Sequence, residues 1–237
     1  MVFPAIRPEG TPAQSIRAAD MSADRFTQRD RESSIEATAD RVLKATTLTF
    51  MNLHKHGDLF VDFMRMRHEV FIKGKGWDLP TIDGLEFDQY DTAQAKWIAI
   101  HGYGEVLAGI RLLPTTSKVG LHSYMLRDAQ LGLLDSLPRD MLFFDAPVSP
   151  LIWEATRLFI NPDVPAKLRS QIQIKLMTEM ARVAREAGAT HVIGIVPSVF
   201  RRWMARIGMT ASPVGAEQVI DGDKVCAALF PVAEFAH

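Results

Sequence analysis

The stretch GLEFDQYD at 84–91 sets Glu86, Asp88 and Asp91 directly ahead of the apolar run KWIAI, in a chain whose net charge is −1. A solvated turn would account for an isolated acidic cluster. Charged residues elsewhere weigh against that. Arg67 falls within an apolar helical pattern, Arg111 interrupts AGIRLL, and Glu154 and Arg157 lie inside IWEATRLF. An arginine at a helix end can snorkel to water, but charge inside apolar strands is costly unless it is paired or meets a ligand. Arg67, Arg111 and Arg157 with Asp88, Asp91 and Glu154, beside Phe71 and Trp77, suit a small multiply charged ligand with a flat ring. Arginines would pair with a carboxylate. Acids would hold a cation or take a proton from an amine, and aromatic faces would stack a base or bear a sulfonium or ammonium. The sequence offers no Ser-His-Asp arrangement or reactive cysteine.

These groups need elements to carry them. TTLTFMNL from residue 46 reads as a first strand. Leu59, Phe60, Phe63, Met66, Val70 and Phe71 recur at helical spacing, with Asp58 as N-cap and GKGW ending the helix. AKWIAIHGYGEVLAGIRLLP reads as a hairpin about its GYG turn, and a helical or irregular connection covers 121–140. LIWEATRLFI is a strand. The longest helix starts near Ala166, is apolar at Leu168, Ile172, Leu176, Met180 and Val183, and is closed by Gly188. HVIGIV is a strand, SVFRRWMARIG a helix, and EQVIDGDKVCAALFPV a last hairpin with an Asp-Gly turn. Those hairpins exclude a strictly alternating doubly wound sheet. They predict an α/β fold with a mixed, largely antiparallel sheet and helices on both faces. Residues three apart in a regular strand face opposite sides, so Glu154 and Arg157 can share a pocket only through a bulge or bend.

The 237 residues, 47% of them hydrophobic, are enough for one large core. The near-zero net charge gives no basic field for nucleic acid. HKH at 54–56 lacks the partners of a metal site and reads as a solvated loop, so no metal is expected. Cys226, the only cysteine, reads as a small strand residue. No apolar run reaches the length of a membrane span and no signal peptide is evident, which predicts a cytoplasmic protein without membrane partners. Residues 1–45, with Pro4, Pro8 and Pro12 and little periodicity, read as a mobile N-terminal extension ahead of a domain at 46–237.

RMRHEVFIKGKGW, DGLEFDQYD, IRLLPTT and WEATRLFI together resemble the signature blocks of the acyl-homoserine-lactone (autoinducer) synthases. Arg67, Phe71, Trp77, Asp88, Asp91, Arg111, Glu154 and Arg157 match the family pattern in type and order, and the resemblance covers residues 46–237. It implies a three-layer α-β-α fold of the GNAT type. It also implies two substrates, S-adenosylmethionine and an acyl thioester on acyl carrier protein or coenzyme A, with no further cofactor. The products would be an acyl-homoserine lactone, a quorum-sensing signal, and methylthioadenosine. On this basis Asp88 and Asp91 would form an acidic wall orienting the amino and sulfonium end, with Arg67, Phe71 and Trp77 assisting. Glu154 would draw off the ammonium proton, while Arg157 and Arg111 hold the wall or the substrate carboxylate.

The resemblance further implies an acyl pocket lined by Leu158, Met177, Met180, Gly194, Val196 and Phe200, residues that plain core packing would explain as well. Some relatives that prefer 3-oxo chains have a threonine at the position that aligns with Gly194. Glycine offers no hydroxyl and would leave room for a branched or bulkier group. The long helix starts at NPDVPAKLRSQ, without the glycine-rich loop that cradles a pyrophosphate, which favours a carrier-protein donor. Arg201, Arg202 and Arg206 form a basic helical patch able to receive an acidic carrier, although a solvated face explains it equally. An N-acyl amino acid synthase of the same fold would have little use for Trp77 and the paired aspartates. A non-catalytic S-adenosylmethionine-binding regulator would not need Glu154.

Overall fold

The computed structural model describes residues 43–102, 104–206 and 208–234. Nearly all of the expected N-terminal extension therefore lies outside the described residues. One sheet dominates, in the order β1 (Lys44–Leu48), β4 (Lys96–Gly102), β5 (Glu105–Pro114), β6 (Ile152–Ile160), β7 (His191–Pro197), β10 (Asp223–Pro231) and β8 (Ser212–Pro213). The short β9 (Gln218–Ile220) pairs with β10. Every pairing is antiparallel except β6 with β7. A separate two-residue hairpin joins β2 (Thr81–Ile82) to β3 (Leu85–Glu86).

Helices cover both faces. Helix α3 (Ala166–Glu186) buries Leu168, Ile172, Leu176, Met177, Met180 and Val183 against Ile98, Ile100, Ile110 and Leu112 of the sheet. Each such side chain contributes roughly 1.5–3 kcal/mol by leaving water. Opposite it, α1 (Leu59–Arg67) buries Phe63 and Met64 in a second cluster with Leu48, Trp97, Phe159 and Ile193. The short α2 (Met125–Gln130) contributes Leu126 to the same cluster, and α4 (Ser198–Arg206) follows β7 directly. Among the described residues no helix is long and apolar enough to cross a membrane.

Three local expectations need correction. The first strand ends at Leu48 rather than continuing to residue 53, because Asn52 accepts the Thr49 N–H at 2.7 Å and donates to the Thr47 carbonyl at 2.9 Å, closing a turn. Asp58 makes no side-chain capping bond to α1. The helix expected to run regularly to Phe71 changes at Arg67 into a π-helical stretch, His68–Gly74, in which the Lys75 N–H reaches the Val70 carbonyl. Cys226 is buried in β10, and the final hairpin turns at Asp221 and Gly222, both at positive φ.

The strands β6 and β7 form the central parallel pair. Their ladder pairs Ile152–Glu154 with His191–Ile193 and ends there. Just beyond, a Cβ added to Gly194 would stand 2.7 Å from the carbonyl oxygen of Ala155. Glycine here allows backbone to meet backbone. The sequence expectation that Gly194 leaves room for a bulky acyl group fails, because the Ala155 carbonyl already occupies the direction a side chain would take. Gly194→Ala should force the two strands apart and lower stability by about 1–3 kcal/mol, read as a fall in thermal midpoint. An unchanged midpoint would contradict the close approach.

Candidate active site

Strand β6 carries the site because it is irregular. Gly109 pairs with Phe159 and Arg111 with Thr156, so Arg157 and Leu158 together oppose Ile110 alone. Arg157 sits at φ +54°, a conformation that non-glycine residues adopt rarely. This is the bulge that the Glu154–Arg157 spacing demands. It also reverses the alternation: Trp153, Ala155, Leu158 and Ile160 pack on the α3 side, whereas Ile152 and Phe159 join the α1 side. Glu154 and Thr156 share the α1 side, and the extra residue turns the Arg157 side chain toward the acidic loop.

That loop is not a solvated turn. Arg67 donates Nε to Glu86 and both terminal nitrogens to Asp91, at 2.8 and 3.1 Å. Arg111 grips Asp88 with both terminal nitrogens, reaches Asp91 at 3.0 Å and donates Nε to Thr156 at 3.0 Å. Arg157 bridges Glu86 at 3.1 Å and Asp88 at 2.8 Å. The Trp97 indole, whose residue pairs with Arg111 across β4 and β5, donates to Asp91 at 2.8 Å. Backbone N–H groups of Tyr90 and Asp88 bond Asp88 and Asp91 respectively, both at 2.9 Å. Three guanidiniums thus balance three carboxylates in one buried cluster.

Burial alone would raise both aspartates. For Asp91 the opposing pull of Arg111 and Arg67 wins and holds the carboxyl well below the usual range; for Asp88 Arg111 and Arg157 do the same, against the nearby Asp91. The Arg111 guanidinium is held charged still more firmly by Asp88 and Asp91, which outweigh its burial.

Charge-assisted donors meet both oxygens of Asp88 and both of Asp91. Both aspartates of the expected acidic wall are thus engaged by arginines. Arg157 is the more open member: its side chain is 9% exposed against 0% for Arg67 and Arg111. Its guanidinium lies 5.7 Å over Phe71, and Phe71 stacks on the half-buried Trp77 with centroids 5.1 Å apart. The π-helical stretch produces that stack, since the Trp77 N–H folds back to the Phe71 carbonyl at 3.0 Å.

Glu154 stands apart from this cluster. Its oxygens accept the N–H groups of Met125 and Leu126, each at 2.8 Å, at the start of α2. Burial pushes its carboxyl up to about 7, against the pull of those two N–H groups and Arg111. A carboxyl there is poised to exchange protons near neutrality.

Of the six residues expected to line an acyl pocket, Met177, Met180 and Val196 are buried in the α3-side cluster, with Leu158 and Phe200 packed against it; Gly194 faces the Ala155 carbonyl. Arg201 donates to the Cys226 sulfur at 3.2 Å, Arg202 is exposed, and the Arg206 side chain lies outside the described residues. Sequence reasoning missed Glu86, Trp97 and Thr156 as site residues. Glu86 was legible as the third negative charge needed to balance three arginines, and Thr156 as the same-face neighbour of Glu154. Trp97 depended on strand register. Among the described residues no group of three or more His, Cys, Asp or Glu is placed to hold a metal.

A largely antiparallel sheet with one central parallel pair and helices on both faces is the framework of a GNAT-like acyltransferase. The autoinducer synthase profile matches residues 50–236, and the chain belongs to that family of enzymes. An acyl-homoserine-lactone synthase of Ralstonia solanacearum is 32% identical over 166 residues, 68% of this chain and 76% of that protein. One of Pseudomonas aeruginosa is 28% identical over 177 residues, 73% and 79% of the two chains. The crystal structure of TofI in a ternary complex with an inhibitor and MTA matches with a TM-score of 0.64 and 26% identity, over 80% of this chain and 92% of that one.

Asp91→Asn should cost roughly 3–5 kcal/mol, because it leaves Arg67 and Arg111 short of a counter-charge in a buried site; urea unfolding would read it. The depressed carboxyls also fix a sign. Their contribution is fully present above the ordinary value of 3.8 and is lost as pH falls through the folded-state values, so the protein should lose stability on acidification below about pH 4. Stability that is flat through that range would contradict the network.

Proposed function

We propose that the chain acylates the amine of S-adenosylmethionine with an acyl thioester and then closes the homoserine lactone. The observation carrying this reading is a prebuilt cationic and aromatic site, Arg157 over Phe71 and Trp77, with the buried Glu154 on the same strand as Arg157 and its carboxyl pushed up to about 7 by burial. TofI, a structure of similar fold, holds MTA, the by-product such a reaction would release.

The flat adenine and sulfonium would lie against Trp77 and Phe71. The substrate carboxylate would meet the free edge of Arg157, whose Nη1 has no hydrogen-bond partner among the described residues. Arg67, Arg111, Asp88 and Asp91 build and hold this surface. Ionised Glu154 takes a proton from the ammonium, using lone pairs that Met125 and Leu126 leave open. The freed amine attacks the thioester carbonyl; an amide forms, the carbon–sulfur bond breaks, and the second amine proton leaves with the thiol. The substrate carboxylate then attacks its own γ-carbon. The sulfonium takes the bonding electrons and departs as neutral methylthioadenosine, leaving the lactone.

Leu158, Met177, Met180, Val196 and Phe200 are proposed to receive the acyl chain, beyond the point where the β6–β7 ladder ends. Acyl carrier protein is the favoured donor, with coenzyme A the alternative, and Arg201, Arg202 and Arg206 on α4 are the proposed docking patch. S-adenosylmethionine serves as substrate, with no resident cofactor. The synthase unit is proposed to be residues 46–237, with the strand that opens it reaching back to Lys44.

A mass-spectrometric assay should detect an acyl-homoserine lactone and methylthioadenosine together when the protein is given S-adenosylmethionine with a panel of carrier-protein and coenzyme A thioesters bearing straight, branched and aryl acids. Glu154→Gln should slow both products by about 10²–10⁴-fold. An acyl amide formed without methylthioadenosine would replace this reading with an N-acyl amino acid synthase.

A further inference from the structure

Asp128 is buried on α2 and has no part in the ion cluster, yet its carboxylate meets two segments outside the helix, the acidic loop and the turn at His122–Ser123. The Tyr90 hydroxyl of the acidic loop donates to its Oδ2 at 2.9 Å. His122 Nδ1 lies 2.9 Å from the same oxygen, and the Ser123 N–H donates to Oδ1 at 2.9 Å. Tyr90 also donates its backbone N–H to Asp88 and stacks its ring 5.6 Å from the Arg111 guanidinium. At its N-terminal end the same helix presents the Met125 and Leu126 N–H groups that hold Glu154. One buried carboxylate therefore ties the loop carrying the ion cluster to the helix that holds the proposed proton acceptor.

We propose that Asp128 is a positioning residue that sets Glu154 against the Asp88–Arg111 side of the site through Tyr90 and α2. The inference rests on the reading of Glu154 as proton acceptor. A displaced α2 would carry both N–H groups with it and shift the Glu154 oxygens relative to the ammonium, and small misplacements of a reacting group cost up to 10²-fold in rate. Asp128 acts on Glu154 electrostatically as well. The charged groups facing Glu154 are Arg111 from β5 and Asp128 from α2, with the phenols of Tyr90 and Tyr124 nearby; Asp128 itself faces Tyr90 and His122. The negative charge of Asp128 favours the protonated form of Glu154, and Arg111 opposes it.

The test is the pH profile of methylthioadenosine release for the wild type, Asp128→Asn, Tyr90→Phe and Glu154→Gln. The wild type should show an acid limb near pH 7. Asp128→Asn should lower kcat by about 10–100-fold with a smaller change in KM for S-adenosylmethionine, and should move the limb to lower pH. Tyr90→Phe keeps the charge and should lower kcat without moving the limb down. Wild-type kcat in Asp128→Asn, or reduced activity with an unmoved limb, would overturn the proposal. If Asp128→Asn does not fold, wild-type kcat in a folded Tyr90→Phe overturns it instead. A limb that persists in Glu154→Gln removes the reading of Glu154 itself, a failure distinct from that of Asp128.

Discussion

Six charges buried together, three guanidiniums against three carboxylates, set the terms for the rest of the molecule. Burying a single guanidinium or carboxylate costs several kcal/mol, and the cost is met only if each charge finds partners in good geometry. Arg67 comes from α1, Arg111 from β5 and Arg157 from β6, while Glu86, Asp88 and Asp91 all come from one short loop and its hairpin. The loop can order only once a helix and two strands are in place around it, and those arginines are neutralised only by the loop. The site and this half of the fold are thus one cooperative unit.

Two departures from regular backbone make that unit possible. The Arg157–Leu158 bulge adds one residue to β6, so an arginine reaches the acidic loop while Phe159 and Ile160 keep their places in the two opposite cores. The π-helical stretch after Arg67 widens the chain path enough to stack Phe71 on Trp77. Both irregularities lie where the polar and aromatic groups converge. Neither is a packing defect. Each aims a side chain that regular structure would aim elsewhere.

The sheet, its hairpins and the long helix were legible because Ile98, Ile100, Ile110 and Leu112, and Leu168, Ile172, Leu176 and Val183, recur with the periods of buried strands and an amphipathic helix. The need for a bulge was legible too, from the parity of Glu154 and Arg157. What the pattern did not reveal was which charges answer which. Nothing in the spacing of Asp88 and Asp91 says whether they face a ligand or an arginine, and the answer came from long-range pairing: Asp88 with Arg111 and Arg157, Asp91 with Arg67 and Trp97. The role of Gly194 was hidden for the same reason. Absence of a side chain reads as space in a sequence, whereas here the backbone of Ala155 fills it. Asp58 shows the converse, a capping signal that the local backbone does not use.

The most direct measurement is a crystal structure of the protein with S-adenosylmethionine bound. Asp88 and Asp91 should keep their arginine partners, with the ligand ring and sulfonium on Trp77 and Phe71 and its carboxylate at the open edge of Arg157. A structure in which either aspartate has left its arginine to bind the ligand ammonium or sulfonium would show that the carboxylates are the binding wall itself, and would contradict the account.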